Sequence, residues 1–293
     1  MRLLFRRKRQ RATPPPPTSR KYRAVTIAGR RHLADVPYAL PKDLNEVNRL
    51  DFQHYIYRQV LHGNFLVPIR SPQAILDVGC GTGIWCREIA TQFPQARVYG
   101  LDLENIKDSV PLPPNYRFVQ GDILEGLPFA ANTFDFVHQR LILASAIPVA
   151  RWLDVCRELL RVTRLGGWLE LPEVGVQMHN MGPLTHQFFE WGISASEPRG
   201  LDPRQIPYID QYLREAGGRN VGLWWVDVPM YKQGNRIGLM MQMNLTNAFG
   251  ALKGLYVARG ESEAEFDNLL RKLPFEWETY RSSLRFFVFY CQK

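Results

Sequence analysis

Three alternating glycines are the residues of this sequence whose spacing most clearly suggests chemistry. Gly79, Gly81 and Gly83 follow the apolar run 74–78, and a helical pattern begins directly after them. Glycine accepts positive φ and lets a ligand lie against the backbone, and the first N–H groups of a helix attract an anionic group. The pattern therefore predicts a strand, a tight turn that holds a ligand, and a helix.

The spacing of these glycines separates the classes of ligand. A dinucleotide-binding turn requires glycine at position 84, where this chain has Ile84, and its third glycine falls one residue early at Gly83. A P-loop requires Lys followed by Ser or Thr after its last glycine, and neither is present. The spacing disfavours an NAD-dependent oxidoreductase and excludes a P-loop nucleotide-binding protein.

Two aspartates end the next two predicted strands. Asp102 ends the run 97–102, and Asp122 ends the run 116–122. In an open parallel sheet, ligands bind outside the carboxyl ends of the strands, so both carboxylates should face the crevice beside the glycine turn. We expect Asp102 to accept both ribose hydroxyls and Asp122 to accept from an adenine amine, with Ile123 packed on the ring. An isolated aspartate is more often a solvated loop acid, but two of them after this turn favour an adenosine without phosphates.

Candidates for proton transfer follow the fourth and fifth predicted strands. His138 stands at the end of the fourth strand, and Glu173 follows the fifth strand, residues 168–171. A substrate hydroxyl that attacks as a nucleophile must lose its proton. His138 is therefore the candidate general base, and Glu173 is either an alternative base or a group that orients the substrate that accepts the transferred group. For both, a hydrogen-bonded supporting role is the other interpretation. Arg140 could bind an acceptor acid or form a surface ion pair.

The remaining pattern predicts the elements that position these residues. Asp43 and Glu46 resemble an N-cap and its reciprocal partner, so a helix should begin there. Further helices are expected at about 84–93, 149–164, twice within 184–217, and over 236–280 with a break near residue 260. Sixth and final strands are expected at 221–228 and 284–290, with Gly166 and Gly167 closing the helix before the fifth strand.

The net charge of +9 is concentrated in the first 34 residues. This segment holds 11 of the 37 Lys and Arg residues and no acid, so the rest of the chain has 26 basic against 28 acidic residues. Such a basic, proline-rich segment buries too little apolar area to offset its ordering entropy, and we expect it to be a disordered tail. It either aids solubility or makes weak contacts with anionic lipid or nucleic acid. The near-neutral net charge of residues 35–293 disfavours a specific nucleic-acid partner.

Cysteine spacing and hydropathy bear on the cellular compartment and on possible disulfide, zinc and membrane-spanning elements. The four cysteines lack C-x-x-C spacing and histidine pairing, which argues against a disulfide framework and a zinc site. No apolar run approaches the roughly 18–20 residues of a membrane span. We therefore expect a cytoplasmic protein without a metal site, whose oligomeric state the sequence leaves open.

Residues 74–175 resemble the class I methyltransferases that use S-adenosylmethionine. The similarity rests on Leu-Asp-Val-Gly-Cys-Gly-Thr-Gly at 76–83, the acid at 102, Gly-Asp at 121–122, Thr-Phe-Asp-Phe-Val-His at 133–138 and Leu-Arg-Val-Thr-Arg-Leu-Gly-Gly-Trp-Leu at 160–169. Residues 38–41 and 48–54 are similar to the N-terminal segment of methyltransferases and regulators of secondary metabolism. The resemblance implies an α/β fold: a Rossmann-like, seven-stranded, mostly parallel sheet with an antiparallel last strand, plus helical N-terminal and C-terminal lid elements.

The resemblance also implies a domain plan and a set of site residues. Residues 1–34 would be the tail, 35–70 an N-terminal helical cap, and 71–293 the methyltransferase domain, with helical insertions at about 184–217 and 231–280 that cover the acceptor. The catalytic candidates are His138 and Glu173. The candidate residues for binding S-adenosylmethionine are Asp77, Gly79, Cys80, Gly81, Gly83, Asp102, Leu103, Asp122, Ile123 and Gln139. Arg49 is a further candidate for the cofactor's carboxylate.

The sequence thus predicts methyl transfer to a small-molecule acceptor, as in secondary metabolism. Transfer from a sulfonium is an in-line displacement, and holding the attack geometry can contribute on the order of 7–11 kcal/mol. A protein- or RNA-directed or regulatory protein of the same fold is the alternative, and a non-catalytic binder is a third. The identity of the acceptor, and whether its oxygen, nitrogen or carbon is methylated, stay open because this fold serves all three.

Overall fold

The apolar run at residues 74–78 forms a strand that is buried at all five positions. The computed structural model describes residues 22–27, 29–34, 36–38, 40–105, 111–232 and 236–293. Its strands are β1 (Ala24–Ile27), β2 (Arg30–Leu33), β3 (Ala74–Val78), β4 (Arg97–Asp102), β5 (Tyr116–Gln120), β6 (Phe134–Gln139), β7 (Thr163–His179), β8 (Arg219–Pro229) and β9 (Ser283–Gln292). Its α-helices are α1 (Leu44–Val60), α2 (Ile84–Gln92), α3 (Leu143–Ala146), α4 (Trp152–Val162), α5 (Pro183–Ser196), α6 (Ile209–Glu215), α7 (Arg236–Ala251), α8 (Lys253–Ala258) and α9 (Glu263–Tyr280).

Seven of the strands form one sheet in the order β5-β4-β3-β6-β7-β9-β8. The pairs from β5 to β7 are parallel, whereas β9 lies antiparallel between β7 and β8. The predicted fold, with its antiparallel last strand beside the sixth, is confirmed. Because the chain order reverses between β3 and β6, the crevice above their carboxyl ends is where such a sheet binds its ligand.

Alternation along β3 supplies both faces of the sheet with core residues. Leu76 and Val78 join the cluster that includes α4, whereas Ile75 packs with Trp85 and Ile89 of α2. Parallel strands covered by helices on both faces must be apolar along their whole length, which is what the sequence of β3 shows. Each such large apolar side chain contributes about 1.5–3 kcal/mol when fully buried. This packing holds the carboxyl ends of β3 and β6 side by side.

The N-terminal helix begins where the sequence predicts it. Asp43 caps α1 by accepting a hydrogen bond from the backbone N–H of Glu46. The expected reciprocal contact is wrong, since the carboxylate of Glu46 instead binds the guanidinium of Arg49. A fully ionic partner one turn away holds the glutamate more strongly than one neutral N–H would. Residues 1–21 of the expected tail lie outside the described residues.

Two predicted boundaries are wrong for physical reasons. The tail was expected to end at residue 34, but β1 and β2 form an antiparallel hairpin, in which Arg30 also binds Asp43. The helix before the fifth strand was expected to end at Gly166 and Gly167, but α4 ends at Val162 and β7 begins at Thr163. The pairing of Phe134 with Thr163 extends the strand backwards past the glycines. Long-range strand pairing of this kind has no local sequence signal.

The two helical insertions differ in their position relative to the crevice. Helix α7 and helix α1 lie in contact, and both border it. Helix α5 packs on α8 and α9 instead, and α6 packs on α4 and β8, so the expectation that 184–217 covers the crevice is wrong. Met241 of α7 is fully buried in the core. Within the described part of the chain, no helix has the length and apolar character needed to cross a membrane.

Candidate functional site

The glycine turn between β3 and α2 has the backbone conformation that its sequence predicts. Gly79, Gly81 and Gly83 have φ values of 72°, 54° and 73°. A Cβ atom on Gly79 would lie 2.5 Å from Cδ1 of Ile142, so any side chain there would force a shift. The N–H groups of Gly79 and Cys80 both donate to the carbonyl of Leu101, at 2.7 and 3.0 Å. These bonds hold the turn against β4.

A cavity of about 280 Å³ opens above this turn, at the carboxyl ends of β3, β4, β6 and β7. This volume is near the lower end of the range for small-molecule sites, about 300–1,000 Å³. Residues of α1 and α7 also line it, together with Val36, Pro37, Tyr38, Leu40 and Lys42. Ten of the predicted site residues line it: Asp77, Gly79, Cys80, Gly81, Asp102, Leu103, Asp122, Ile123, His138 and Glu173.

Two of the predicted residues do not line the cavity. Gln139 is fully buried but faces away, because adjacent residues of a strand point to opposite sides and His138 occupies the cavity side. Gly83 lies behind the turn, where an added Cβ would meet the hydroxyl of Tyr116 at 2.9 Å. The structure therefore does not support a direct ligand contact by Gln139 or by Gly83. Gly83 serves the turn through its backbone conformation.

The two strand-end acids occupy one end of the cavity. Asp102 accepts from the N–H of Gly81 at 2.9 Å and lies 3.3 Å from the ammonium of Lys42. Burial is the largest single effect and lowers the pKa of Lys42, but the charge and hydrogen bond of Asp102, together with Tyr38 and Glu104, outweigh it and raise the pKa overall. Asp122 accepts from the N–H of Leu124 at 2.9 Å. Each aspartate thus uses part of its hydrogen-bonding capacity to hold its own loop, and a carboxylate has further lone pairs for a ligand.

An aspartate–histidine pair lies at the centre of the cavity. Nδ1 of His138 donates to Oδ1 of Asp77 at 2.7 Å, and the ring stacks on Trp85 with centroids 4.0 Å apart. Burial lowers the pKa of His138, although the charge of Asp77 opposes this. The ring is therefore neutral near pH 7, with its proton on Nδ1. Its Nε2 is buried and has no hydrogen-bond partner within the described residues, so its lone pair is available to accept a proton.

Glu173 has two differently occupied carboxyl oxygens. Oε1 accepts from the N–H groups of Ile142 and Leu143, at 2.9 and 2.8 Å, and so holds the start of α3. Oε2 is buried without a hydrogen-bond partner among the residues described. Burial raises the pKa of this carboxyl to about 8. Glu173 is thus a neutral acid near pH 7, which can donate a hydrogen bond from Oε2.

Comparison with known proteins identifies the family to which the chain belongs. The family model described as a methyltransferase domain matches residues 75–167. Methyltransferase str2 of Strobilurus tenacellus is 36% identical over 229 residues, which cover 74% of this chain and 82% of str2. The chain belongs to the class I family of S-adenosylmethionine-dependent methyltransferases.

Two further relatives match over shorter stretches than str2. Methyltransferase pytC of Aspergillus terreus is 34% identical over 189 residues, which cover 61% of this chain and only 57% of pytC. The secondary metabolism regulator LAE1 of Cochliobolus heterostrophus is 33% identical over 194 residues, covering 62% of each chain. The solved structure of a Haemonchus contortus phosphoethanolamine N-methyltransferase 2 has a TM-score of 0.51 at 18% identity, over 85% of this chain and 59% of that one. That structural likeness supports the fold alone.

Sequence reasoning missed several residues of this methyltransferase cavity. Lys42 pairs with Asp102 and lies over the ring of Tyr38, 5.0 Å from its centroid. Asn244 and Leu245 reach the cavity from α7, which is distant in the chain. The only available signal was the position of residues 38–42 before the cap of α1, and it does not specify which strand end they approach. Within the described residues, no cluster of three or more potential ligands could hold a metal ion.

Proposed function

We propose that this methyltransferase binds S-adenosylmethionine in the cavity and transfers its methyl group to a small-molecule acceptor of secondary metabolism. The observation that supports this most directly is the meeting of Asp102, Asp122 and the positive-φ glycine turn at one cavity. Two carboxylates suit the hydroxyl and amine donors of an adenosine and repel phosphates. The similarity to methyltransferase str2 supports methyl transfer, and the similarity to the secondary metabolism regulator LAE1 supports the connection with secondary metabolism.

The residues present fit such a cofactor. Gly79 and Gly81 line the cavity without side chains, so a ligand can lie against the backbone of the turn. Asp102 and Leu103 would hold the ribose side, whereas Asp122 and Ile123 would hold the adenine. When bound, the cofactor supplies an electrophilic methyl group on a sulfonium, whose departure leaves a neutral thioether.

The aspartate–histidine pair would act on the acceptor. We assign His138 Nε2 as the group that accepts the acceptor's proton, with Asp77 holding the ring and its tautomer through Nδ1. Asp77, expected to bind the cofactor, is thereby assigned to orient His138. The neutral carboxyl of Glu173 would donate a hydrogen bond to the acceptor from Oε2. Apolar residues of α1, α7 and the β6–α3 segment would keep water away from the reacting atoms: Leu50, Ile142, Leu245 and Ala248.

Calorimetric titration with S-adenosylhomocysteine tests the cofactor site. Asp102→Ala should weaken binding by tenfold or more, because a hydrogen bond to a charged group contributes about 1.5–3 kcal/mol. Asp154→Ala is the matched control, since this acid lies on the exposed face of α4 and its affinity should not change. Unchanged affinity in Asp102→Ala would remove the ribose assignment. Failure of the wild-type protein to bind S-adenosylhomocysteine would remove the proposed cofactor.

A regulatory role is the second candidate, and the similarity to LAE1 over 62% of the chain favours it. In that case the physiological partner would be a protein. The near-neutral balance of residues 35–293, 26 basic against 28 acidic, disfavours an RNA substrate. Incubation of a cell extract with methyl-labelled cofactor separates the two: label in a small-molecule fraction supports the metabolic acceptor, and label only in protein supports the regulator.

A further inference from the structure

Arg140 differs from the other cations that line the cavity. Arg49 is bound by Glu46, and Lys42 is bound by Asp102. Arg140 follows β6 directly and lines the same cavity, yet no carboxylate of the described residues forms an ion pair with it. Its guanidinium is therefore a cavity cation that no carboxylate among the described residues neutralises.

The hydrogen-bond partner that holds Arg140 is a histidine. An Nη atom of Arg140 lies 3.2 Å from Nδ1 of His54, a fully buried residue of α1. Because a guanidinium can only donate, Nδ1 of His54 accepts and the ring proton is on Nε2. Nε2 lies 3.2 Å from the carboxylate of Glu88 but makes no hydrogen bond within the described residues. Burial and the charge of Arg140 lower the pKa of His54 to about 3, so the ring is neutral. A neutral partner fixes the orientation of a guanidinium and leaves its charge intact.

The nearest acids are committed to other groups. The charges of Asp77 and Glu88 both act on Arg140, where burial is nevertheless the larger effect and lowers its pKa. Asp77 is bound by His138, and Glu88 accepts from Arg58 and from Asn64, each at 3.0 Å. Neither is placed to form a two-point pair with Arg140. A partly desolvated guanidinium in this state has donors and charge for an anion that enters the cavity.

We propose that Arg140, positioned by His54, is the carboxylate-binding residue of this cavity. The planar guanidinium matches a carboxylate through two parallel N–H donors, which the ammonium of a lysine cannot do. The assignment replaces the expectation for Arg49, whose charge Glu46 already neutralises. It rests on the proposed function, because the carboxylate belongs either to the aminoacyl end of the cofactor or to an acid group of the acceptor.

The experiment uses two pairs of ligands, each with one member that carries a carboxylate and one that lacks it. Affinities for S-adenosylhomocysteine and for 5′-methylthioadenosine, which lacks the aminoacyl group, are measured by calorimetry on the full chain. Cinnamate and the neutral cinnamamide are then titrated into protein saturated with S-adenosylhomocysteine. The first pair reports the cofactor carboxylate, and the second pair reports an acceptor acid. Binding of 5′-methylthioadenosine also tests the adenosine site independently of Arg140.

The variants distinguish the effects of the Arg140 charge, of the orientation of its guanidinium and of a general loss of folding. Arg140→Met removes the guanidinium, and Arg140→Lys keeps the charge without the two-point geometry. His54→Leu removes the positioning acceptor, whereas His54→Asn keeps an oxygen near the place of Nδ1 and should restore binding. Arg157→Met, on the exposed side of α4, is the matched control. Thermal unfolding of each variant reports whether it folds, and the lysine and asparagine variants continue the test if the others do not.

We expect Arg140→Met to weaken one carboxylate ligand by roughly ten- to a hundredfold, the worth of a charged hydrogen bond, and to leave its neutral counterpart unchanged. Loss confined to S-adenosylhomocysteine identifies the cofactor's carboxylate, and loss confined to cinnamate identifies an acceptor acid; either result supports the proposal. Equal affinities of wild type and Arg140→Met for both acids would overturn it while 5′-methylthioadenosine still binds. Failure of 5′-methylthioadenosine to bind the wild type would instead refute the proposed cofactor.

Discussion

Replacing Glu173 with glutamine should remove a pH dependence of stability. The carboxyl of Glu173 is fully buried, and its pKa is raised from 4.5 to about 8 because burial disfavours the ionised form. Between these two values the folded state holds a proton that the unfolded state has lost. Stability therefore falls as pH rises through this window, with a limiting slope of about 1.4 kcal/mol per pH unit. Glutamine does not ionise and lacks this contribution.

The magnitude follows from the size of the window. Between pH 5.5 and 7.5 the wild type should lose about 2.5 kcal/mol of unfolding free energy relative to Glu173→Gln, slightly less than the limiting slope gives because the folded state begins to ionise near pH 7.5. Glutamine retains an oxygen that can accept from Ile142 and Leu143, so the start of α3 should stay in place. Glu170, whose pKa burial raises to about 7, is present in both proteins and cancels in the difference.

Urea unfolding at pH 5.5, 6.5 and 7.5 measures the difference between the two proteins. Glu215→Gln, an exposed position at the end of α6, is the matched control and should follow the wild type at every pH. A constant difference between wild type and Glu173→Gln across this range would refute the assignment of a neutral, buried acid. Glu173 would then be ionised in the fold, and its role as a hydrogen-bond donor to the acceptor would be lost as well.

Two further substitutions separate the site from the scaffold. Gly79→Ala should cost about 1–2 kcal/mol of stability, because its φ of 72° is unfavourable for alanine, and should weaken S-adenosylhomocysteine binding since the new Cβ displaces Ile142; normal affinity would contradict the role of the turn. Glu276→Ala should cost about 2–4 kcal/mol in urea unfolding, because this buried carboxylate accepts from the N–H groups of Leu184 and Thr185 at the start of α5. Its cofactor affinity should change less than twofold, and a large loss would show that α5 acts on the cavity.

Much of the ligand-binding edge of the sheet could be predicted, because its features arise from short segments of the sequence. Gly79 and Gly81 must be glycines for reasons of backbone geometry, and Asp102 and Asp122 follow apolar runs whose ends meet at one edge of a parallel sheet. The direction of the side chains at the end of β6 could not be predicted. The pattern does not distinguish His138 from Gln139 as the residue that faces the cavity, and Gln139 proved to face away.

The partners of the charged residues were beyond prediction. Arg140 lies 86 positions from His54, and Lys42 lies 60 positions from Asp102. Whether a cation is neutralised, held by a neutral ring or left facing a ligand depends on which side chains the fold places within about 4 Å. No periodicity in the sequence encodes those distances.

The sequence by itself determined the strands, the glycine turn and the identity of the strand-end acids, because apolar periodicity and positive φ are properties of short segments, whereas the order of the strands in the sheet was implied by the resemblance to the family. Only the tertiary structure decided that Asp77 holds His138, that Glu173 is a neutral acid and that Arg140 keeps its charge. These properties come from burial and from contacts between distant segments. Protonation and available charge are set by the surroundings of a side chain, and those surroundings exist only after the chain has folded.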